Sequence, residues 1–237
     1  MIKRFIPNLI TLGNLMCGVE SLFATLALGD ARMGALWICA GIFLDFFDGM
    51  AARLLNVPSD LGKQLDSLAD VVTSGVAPAF LMVKLMEEPL QGLMPHWGVL
   101  LVMIPFVLMP AFAAYRLAKF NIDTRQGHSF LGLPVPSNAL IWVGLALSGC
   151  TVASVPLAVG VAVVALLTDV LMVGEMPLFS LKFNFHDLSW RTNSVQYLFL
   201  AGCALMIAVV RDWYALSLII VWYIVLSLIT QRRREQC

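Results

Sequence analysis

The sequence predicts an all-α polytopic membrane protein with about eight transmembrane helices and a short N-terminal interfacial segment, and three observations carry that prediction. Hydrophobic residues make up 60% of the 237-residue chain and charged residues only 13%, with a mean hydropathy of +0.87. A soluble domain would carry roughly 25% charged residues. The apolar residues gather into runs long enough to cross a hydrocarbon layer of ~30 Å. The connections between them alternate in basic content, the quantity that orients membrane helices.

Residues 1–8 set Met1, Ile2, Phe5 and Ile6 against Lys3 and Arg4 and end in Pro7-Asn8, which suits a segment lying in the interface. Apolar runs then follow near residues 10–28, 34–55, 66–86, 97–119, 137–152, 155–173, 195–210 and 213–230. The fifth run is short, and its separation from the sixth rests on a break near Pro156. Only a short loop, Asn56 to Gly62, joins the second and third runs, so these helices are antiparallel neighbours. The long connections are Asn121 to Pro136 and Gly174 to Ser194. The latter, with Lys182, Phe183, Phe185, His186 and Trp190, reads as an amphipathic surface segment. The chain is read as one membrane-embedded domain: interfacial segment 1–8, core 9–174, cytoplasmic loop 175–194, C-terminal helix pair 195–230 and basic tail 231–237.

With the N-terminus inside, the cytoplasmic side holds Lys3, Arg4, Arg53, Lys63, Arg116, Lys119, Arg125, Lys182, Arg191 and Arg232 to Arg234. Arg32, Lys84 and Arg211 fall outside, as does the acidic Glu87-Glu88 turn. Both termini are therefore placed in the cytoplasm. The first run lacks a small-residue cleavage site and is followed by further spans, so a cleaved signal peptide is not expected. The 15 basic and 15 acidic residues balance, and no nucleic-acid partner is expected. The five cysteines show no CxxC spacing and the three histidines are isolated, which argues for packing or loop roles over a metal centre.

Four aspartates sit inside the apolar runs: Asp45, Asp48, Asp66 and Asp70. Each would cost roughly 2.5–3.5 kcal/mol near the bilayer centre, and a whole domain has a net stability of only ~5–15 kcal/mol. Something must neutralise them. Asp45 and Asp48 are three apart and Asp66 and Asp70 four apart, so each pair shares a helix face. At about 1.5 Å per residue, Asp48 and Asp45 lie roughly 10 and 15 Å from the inner end of the second span, and Asp66 and Asp70 roughly 6 and 12 Å into the third. The pairs overlap in depth. Hard oxygen ligands converging from two helices suit Mg2+ or Mn2+, and two such ions about 3.5–4 Å apart can steady both the attacking and leaving oxygens of a phosphoryl transfer. Gly49, Ala52 and Gly62 recur four residues from an aspartate, leaving open surface for a flat or bulky ligand; close helix packing is the plainer use of such residues. Arg53 can reach a phosphate at the cytoplasmic mouth or serve as an anchor. Ser59 can donate to a phosphate or cap the third helix with Asp60.

Written out, the segment reads Asp45-x2-Asp48-Gly49-x2-Ala52-Arg53-x8-Gly62-x3-Asp66-x3-Asp70, which resembles the signature of the CDP-alcohol phosphotransferase family at every fixed position. The resemblance implies a six-helix membrane core, here extended by two C-terminal helices, that is usually dimeric. Such an enzyme moves a phosphatidyl or related group from a CDP-linked donor to an alcohol and releases CMP. It further implies that Asp45, Asp48, Asp66 and Asp70 bind two Mg2+ or Mn2+ ions, that Asp70 accepts a proton, and that Gly49, Ala52, Arg53, Ser59 and Gly62 contact the CDP-lipid. The entry motif Pro7-Asn8-x2-Thr11 is similar to the family's and sets Asn8 and Thr11 near the diphosphate.

Further blocks resemble the phosphatidylserine synthase branch: Leu65 to Asp70, Gly75 to Pro78, Tyr115 to Asn121, and Phe130-x-Gly132-Leu133-Pro134-x-Pro136. That branch implies CDP-diacylglycerol as donor, L-serine as acceptor, surrounding membrane lipids and a homodimer in a bacterial cytoplasmic (inner) membrane. Serine needs a cation for its carboxylate, and Arg116, Lys119 and Arg125 cluster where the fourth span re-enters the cytoplasm; headgroup anchoring is their plainer use. A different acceptor, such as glycerol 3-phosphate or an inositol compound, is the nearest alternative. An ion-coupled transporter is the next, although the acids fill one half-site with no matching second half. Glu20 and Asp169, two more acids within spans, receive no role.

Overall fold

In the computed structural model, which describes residues 2–123, 130–152, 154–178 and 190–235, the apolar runs fold into eight helices. They are α1 Ile2–Leu26, α2 Ala31–Leu54, α3 Asp60–Gln91, α4 His96–Ile122, α5 Val135–Leu147, α6 Val155–Val173, α7 Trp190–Val210 and α8 Tyr214–Glu235. Six of these are long and apolar enough to cross a membrane, and α5 and the Tyr214–Thr230 part of α8 are shorter apolar helices. Residues Phe130–Leu131 and Pro177–Leu178 form a two-residue antiparallel bridge that leaves the all-α class intact.

The helix starts explain where the expected boundaries move. Asp30 caps α2 by accepting from the Met33 amide at 2.8 Å. The Ser59 hydroxyl accepts from the Gly62 amide at 3.0 Å, so α3 begins at Asp60, earlier than its apolar run. Between them α2 ends in a left-handed Asn56, φ 52°, a conformation asparagine tolerates. At the N-terminus, α1 continues unbroken through Pro7 to Ile2, so the segment expected to lie apart as residues 1–8 is the first part of α1. Pro7 forfeits only the bond to the Lys3 carbonyl, close to an end where backbone groups are unpaired anyway. Pro156 stands at the start of α6, where a missing N–H costs nothing. The amphipathic loop expected over 175–194 is cut short by the start of α7 at Trp190, and its residues 179–189 lie outside those described.

Within α3, residues Val71–Val76 are π-helical, between α-helical Asp60–Asp70 and Ala77–Gln91. Pro78 cannot donate to the Ser74 carbonyl, and the turn before it widens. The widened turn brings Thr73 against α1, where a Cβ on Gly18 would lie 2.6 Å from Thr73 Oγ1 and 2.9 Å from Thr73 Cα. Only glycine permits that approach.

At about 1.5 Å per residue the 13-residue α5 covers roughly 20 Å, less than a full hydrocarbon layer. It does not need to cross alone. Most of its residues are buried, and it packs on α8 and α2 with Trp142 edge-on to Phe106 of α4 at 5.1 Å. The residues before it are extended, with the Gly132 amide bonded to Met176 O at 2.9 Å and the Leu133 amide to Leu171 O at 3.0 Å. Gly132 holds φ +76° with a carbonyl-lined space where a side chain would go. Non-helical backbone survives inside a membrane protein only where protein groups satisfy it, and here the end of α6 does so. One hydrophobic cluster joins α3, α4, α5, α6 and α8, and a smaller one joins α2, α3 and α5 around Ile38, Leu81 and Val143. Both lie downstream of the aspartates on α3, leaving those aspartates against α1 and α2.

Candidate active site

The antiparallel pair α2 and α3 brings carboxylates from both helices together. Ligand oxygens of Asp45, Asp48 and Asp66 lie within 4.8 Å of one another. Three carboxylates so close repel strongly in a medium of low dielectric unless a cation or protons intervene. Asp66 Oδ1 is buried with no hydrogen-bond partner among the described residues, so its lone pairs face the cluster unused. An all-oxygen donor set with an orphaned acceptor fits a hard divalent cation. Asp70 stands outside that trio, one turn further along α3. It is 6% exposed, and its Oδ1 accepts from Asn14 Nδ2 at 3.2 Å.

Helix α1 supplies the third wall. Thr11 Oγ1 lies 2.5 Å from Asp48 Oδ2 and 3.0 Å from Pro7 O, so its single proton serves one of these at a time. Asn14 lies three residues on and hence on the same face, and Thr73 of the π-helical turn donates to the Asn14 carbonyl at 2.9 Å. Thr11, Asn14 and Thr73 are all buried. Asn14 was absent from the expected site, yet the signal existed: two polar residues three apart on an otherwise apolar helix.

Beside the carboxylates opens a cleft of about 250 Å3. Thr11, Asp48, Gly49, Ala52, Arg53, Ser59, Gly62 and Asp66 all line it, so the structure gathers most of the residues expected to meet the CDP-lipid. Asn8 sits at its edge, its Oδ1 3.2 Å from where a Gly62 Cβ would be. Of the two uses open to Ser59, the structure displays the helix cap; its own proton stays available to a ligand. Arg53 Nε donates to Gly49 O at 3.1 Å. Lys63 lines the cleft as well, which sequence reasoning had treated only as a cytoplasmic charge. Its Nζ reaches Asn121 O at 2.7 Å, while Asn121 Nδ2 donates to Ser67 Oγ at 2.8 Å, tying α3 to the end of α4.

The three cations expected near an acceptor are not equivalent. Arg116 is 8% exposed, stacks over Phe120 at 5.5 Å and has Asp70 and Tyr223 as electrostatic neighbours. Lys119 is ion-paired with Glu175 at 3.0 Å. Arg125 lies outside the described residues. Asp169 is fully buried and accepts from Asn138 at 3.4 Å, whose Oδ1 in turn accepts from Trp142 at 3.3 Å. Glu20 is half-buried on α1, away from this network.

A helical membrane protein with an acidic, cation-fitting cluster at the edge of a small-residue cleft is of the class that handles phosphorylated lipids or nucleotides. The comparisons make that class specific. The chain belongs to the CDP-alcohol phosphatidyltransferase family, whose profile matches residues 4–168. It is similar to the CDP-diacylglycerol–serine O-phosphatidyltransferase of Bacillus subtilis (strain 168), with 40% identity over 139 residues, 56% of this chain and 70% of the relative. The enzyme of that name from Helicobacter pylori (strain J99) is 36% identical over 140 residues, 58% of this chain and 55% of the relative. The one from Methanocaldococcus jannaschii is 38% identical over 107 residues, 45% and 47% of the two chains. The chain thus spans more than two thirds of the Bacillus relative and about half of the other two.

Proposed function

We infer that this enzyme transfers the phosphatidyl group of CDP-diacylglycerol to L-serine, giving phosphatidylserine and CMP. The observation that carries the chemistry is the Asp45, Asp48 and Asp66 cluster at the wall of the cleft. The choice of acceptor is supported by the activity for which the similar proteins are named.

Asp45, Asp48, Asp66 and Asp70 would hold one or two Mg2+ or Mn2+ ions, which when bound spread the charge that develops on the phosphoryl oxygens. Gly49, Ala52 and Gly62 leave room for the nucleotide, and Arg53, Ser59, Asn8, Thr11 and Lys63 face its diphosphate. Asp70 takes the serine hydroxyl proton. The freed oxygen attacks the phosphorus that bears the diacylglycerol oxygen, the bond from that phosphorus to the CMP oxygen breaks, and CMP departs with the electron pair. Positioned general-base help of this kind is typically worth about 10²–10⁴ in rate. Arg116 meets the serine carboxylate, with Lys119 and Arg125 closer to the mouth. The bias of basic residues supports a cytoplasmic cleft with both termini on the same side, in an inner membrane, and the family resemblance supports a single catalytic domain that works as a homodimer.

The test is purified protein with CDP-diacylglycerol, Mg2+ or Mn2+ and one alcohol at a time, scoring CMP. CMP release that requires serine and is lost in Asp70→Asn is expected. Release with glycerol 3-phosphate alone would reassign the acceptor, and no release with any alcohol would overturn the enzyme reading.

A further inference from the structure

The family profile stops at residue 168, yet the helix pair beyond it reaches the site. Tyr223, midway along α8, is 6% exposed and belongs to the same hydrophobic cluster as Ala113 and Leu117, which flank Arg116 on α4. Phe199 of α7 packs edge-on to its ring at 5.9 Å. Tyr223 therefore enters the protein from the C-terminal pair and ends beside the Arg116 guanidinium, its electrostatic neighbour.

Arg116 is set up to receive something. Its guanidinium is held over Phe120, its other electrostatic neighbour is Asp70, and its Nε has no hydrogen-bond partner among the described residues. A guanidinium offers five donors in a rigid fork that matches a carboxylate bidentately. A buried donor left without a partner is costly, so the fork favours a ligand that fills it. The long arginine side chain must still be held in one rotamer for the fork to point at that ligand.

We propose that α8 completes the acceptor pocket, with Tyr223 as a positioning residue that fixes the Arg116 guanidinium toward the carboxylate of an amino-acid acceptor beside Asp70. The proposal rests on the serine reading above. It makes discrimination between a carboxylate-bearing alcohol and one without it depend on a helix that the family profile does not cover. A site built around a buried polar partner rejects an analogue that lacks it, because the site's own group is then left unpaired.

The experiment uses the full chain and its Tyr223→Phe variant, which removes only the hydroxyl and keeps the ring against Phe199. CMP release is measured against serine, ethanolamine and CDP-diacylglycerol concentrations. Tyr223→Phe is expected to raise KM for serine about tenfold, the scale of one hydrogen bond to a charged group. The preference for serine over ethanolamine should fall by a similar factor, with KM for CDP-diacylglycerol kept within about twofold. Equal losses on serine and ethanolamine would assign Tyr223 to packing alone and overturn the proposal, as would an unchanged serine KM. Should Tyr223→Phe not fold, Arg116→Lys read for the same ratio decides: an unchanged preference overturns the proposal and a collapsed one supports it. A wild-type protein that releases no CMP with serine would instead sink the acceptor reading, an outcome distinct from a working enzyme indifferent to Tyr223.

Discussion

Thr11 and Asn14 meet Asp48 and Asp70, so one face of α1 fixes the two most deeply buried of the four aspartates. Asn14→Ala should therefore lower kcat by about 10–100-fold while KM for CDP-diacylglycerol stays within about twofold, since small misplacements of a reacting group can cost about 10²-fold. Steady-state kinetics on the purified variant checks it, and an equal rise in KM would mean that Asn14 serves binding instead. Asp66→Asn removes one charge from the trio and should raise the Mg2+ or Mn2+ concentration for half-maximal CMP release at least about tenfold. Metal titration reads this directly. At this scale the aspartates, Arg53 and the small residues were legible because a charge or a glycine stands out in an apolar run. Asn14 and Lys63 were not, because their roles depend on which helix lies across from them.

Elements were legible as far as hydrophobicity marks them. The start of α3 was hidden because Asp60, Lys63 and Gln64 look like loop, and only the Ser59 cap reveals that the helix already runs there. The fifth helix looked short in the sequence and is short, for a reason the sequence does not state: its neighbours surround it. Where helices meet, the tightest spot is Gly18 against Thr73. Gly18→Ala should destabilise the protein by about 1–3 kcal/mol, the usual cost of overpacking, and lower activity through the displaced π-helical turn. A thermal melt in detergent alongside the CMP assay tests both effects; an unchanged melt would show that α1 and α3 can part without cost. The Lys119 and Glu175 pair is partly solvated, with side chains 29% and 56% exposed. Glu175→Gln should accordingly shift stability by less than about 1 kcal/mol.

Over the whole molecule, eight helices follow from eight apolar runs, whereas the arrangement that lets α8 touch the site beside α4 could not be read from any one run. Orientation is open to a labelling test. In otherwise thiol-free protein, an impermeant maleimide should reach Cys150, exposed between α5 and α6, in intact spheroplasts, and Asp60→Cys, exposed at the start of α3, only after permeabilisation. The reverse pattern would invert the proposed topology. The π-helical turn Val71–Val76 has a last consequence, for length changes in the chain. Such a turn holds one residue more than the α-turn it replaces, and each residue rotates a helix by about 100°. The halves of α3 are thus kept out of phase, so that Asp66 and Asp70 meet α1 and α2 while Met82 and Met86 meet the core. Deleting one residue here would leave a regular helix able to satisfy one half or the other. The four-residue connection 92–95 can absorb an insertion, but this stretch of α3 tolerates none.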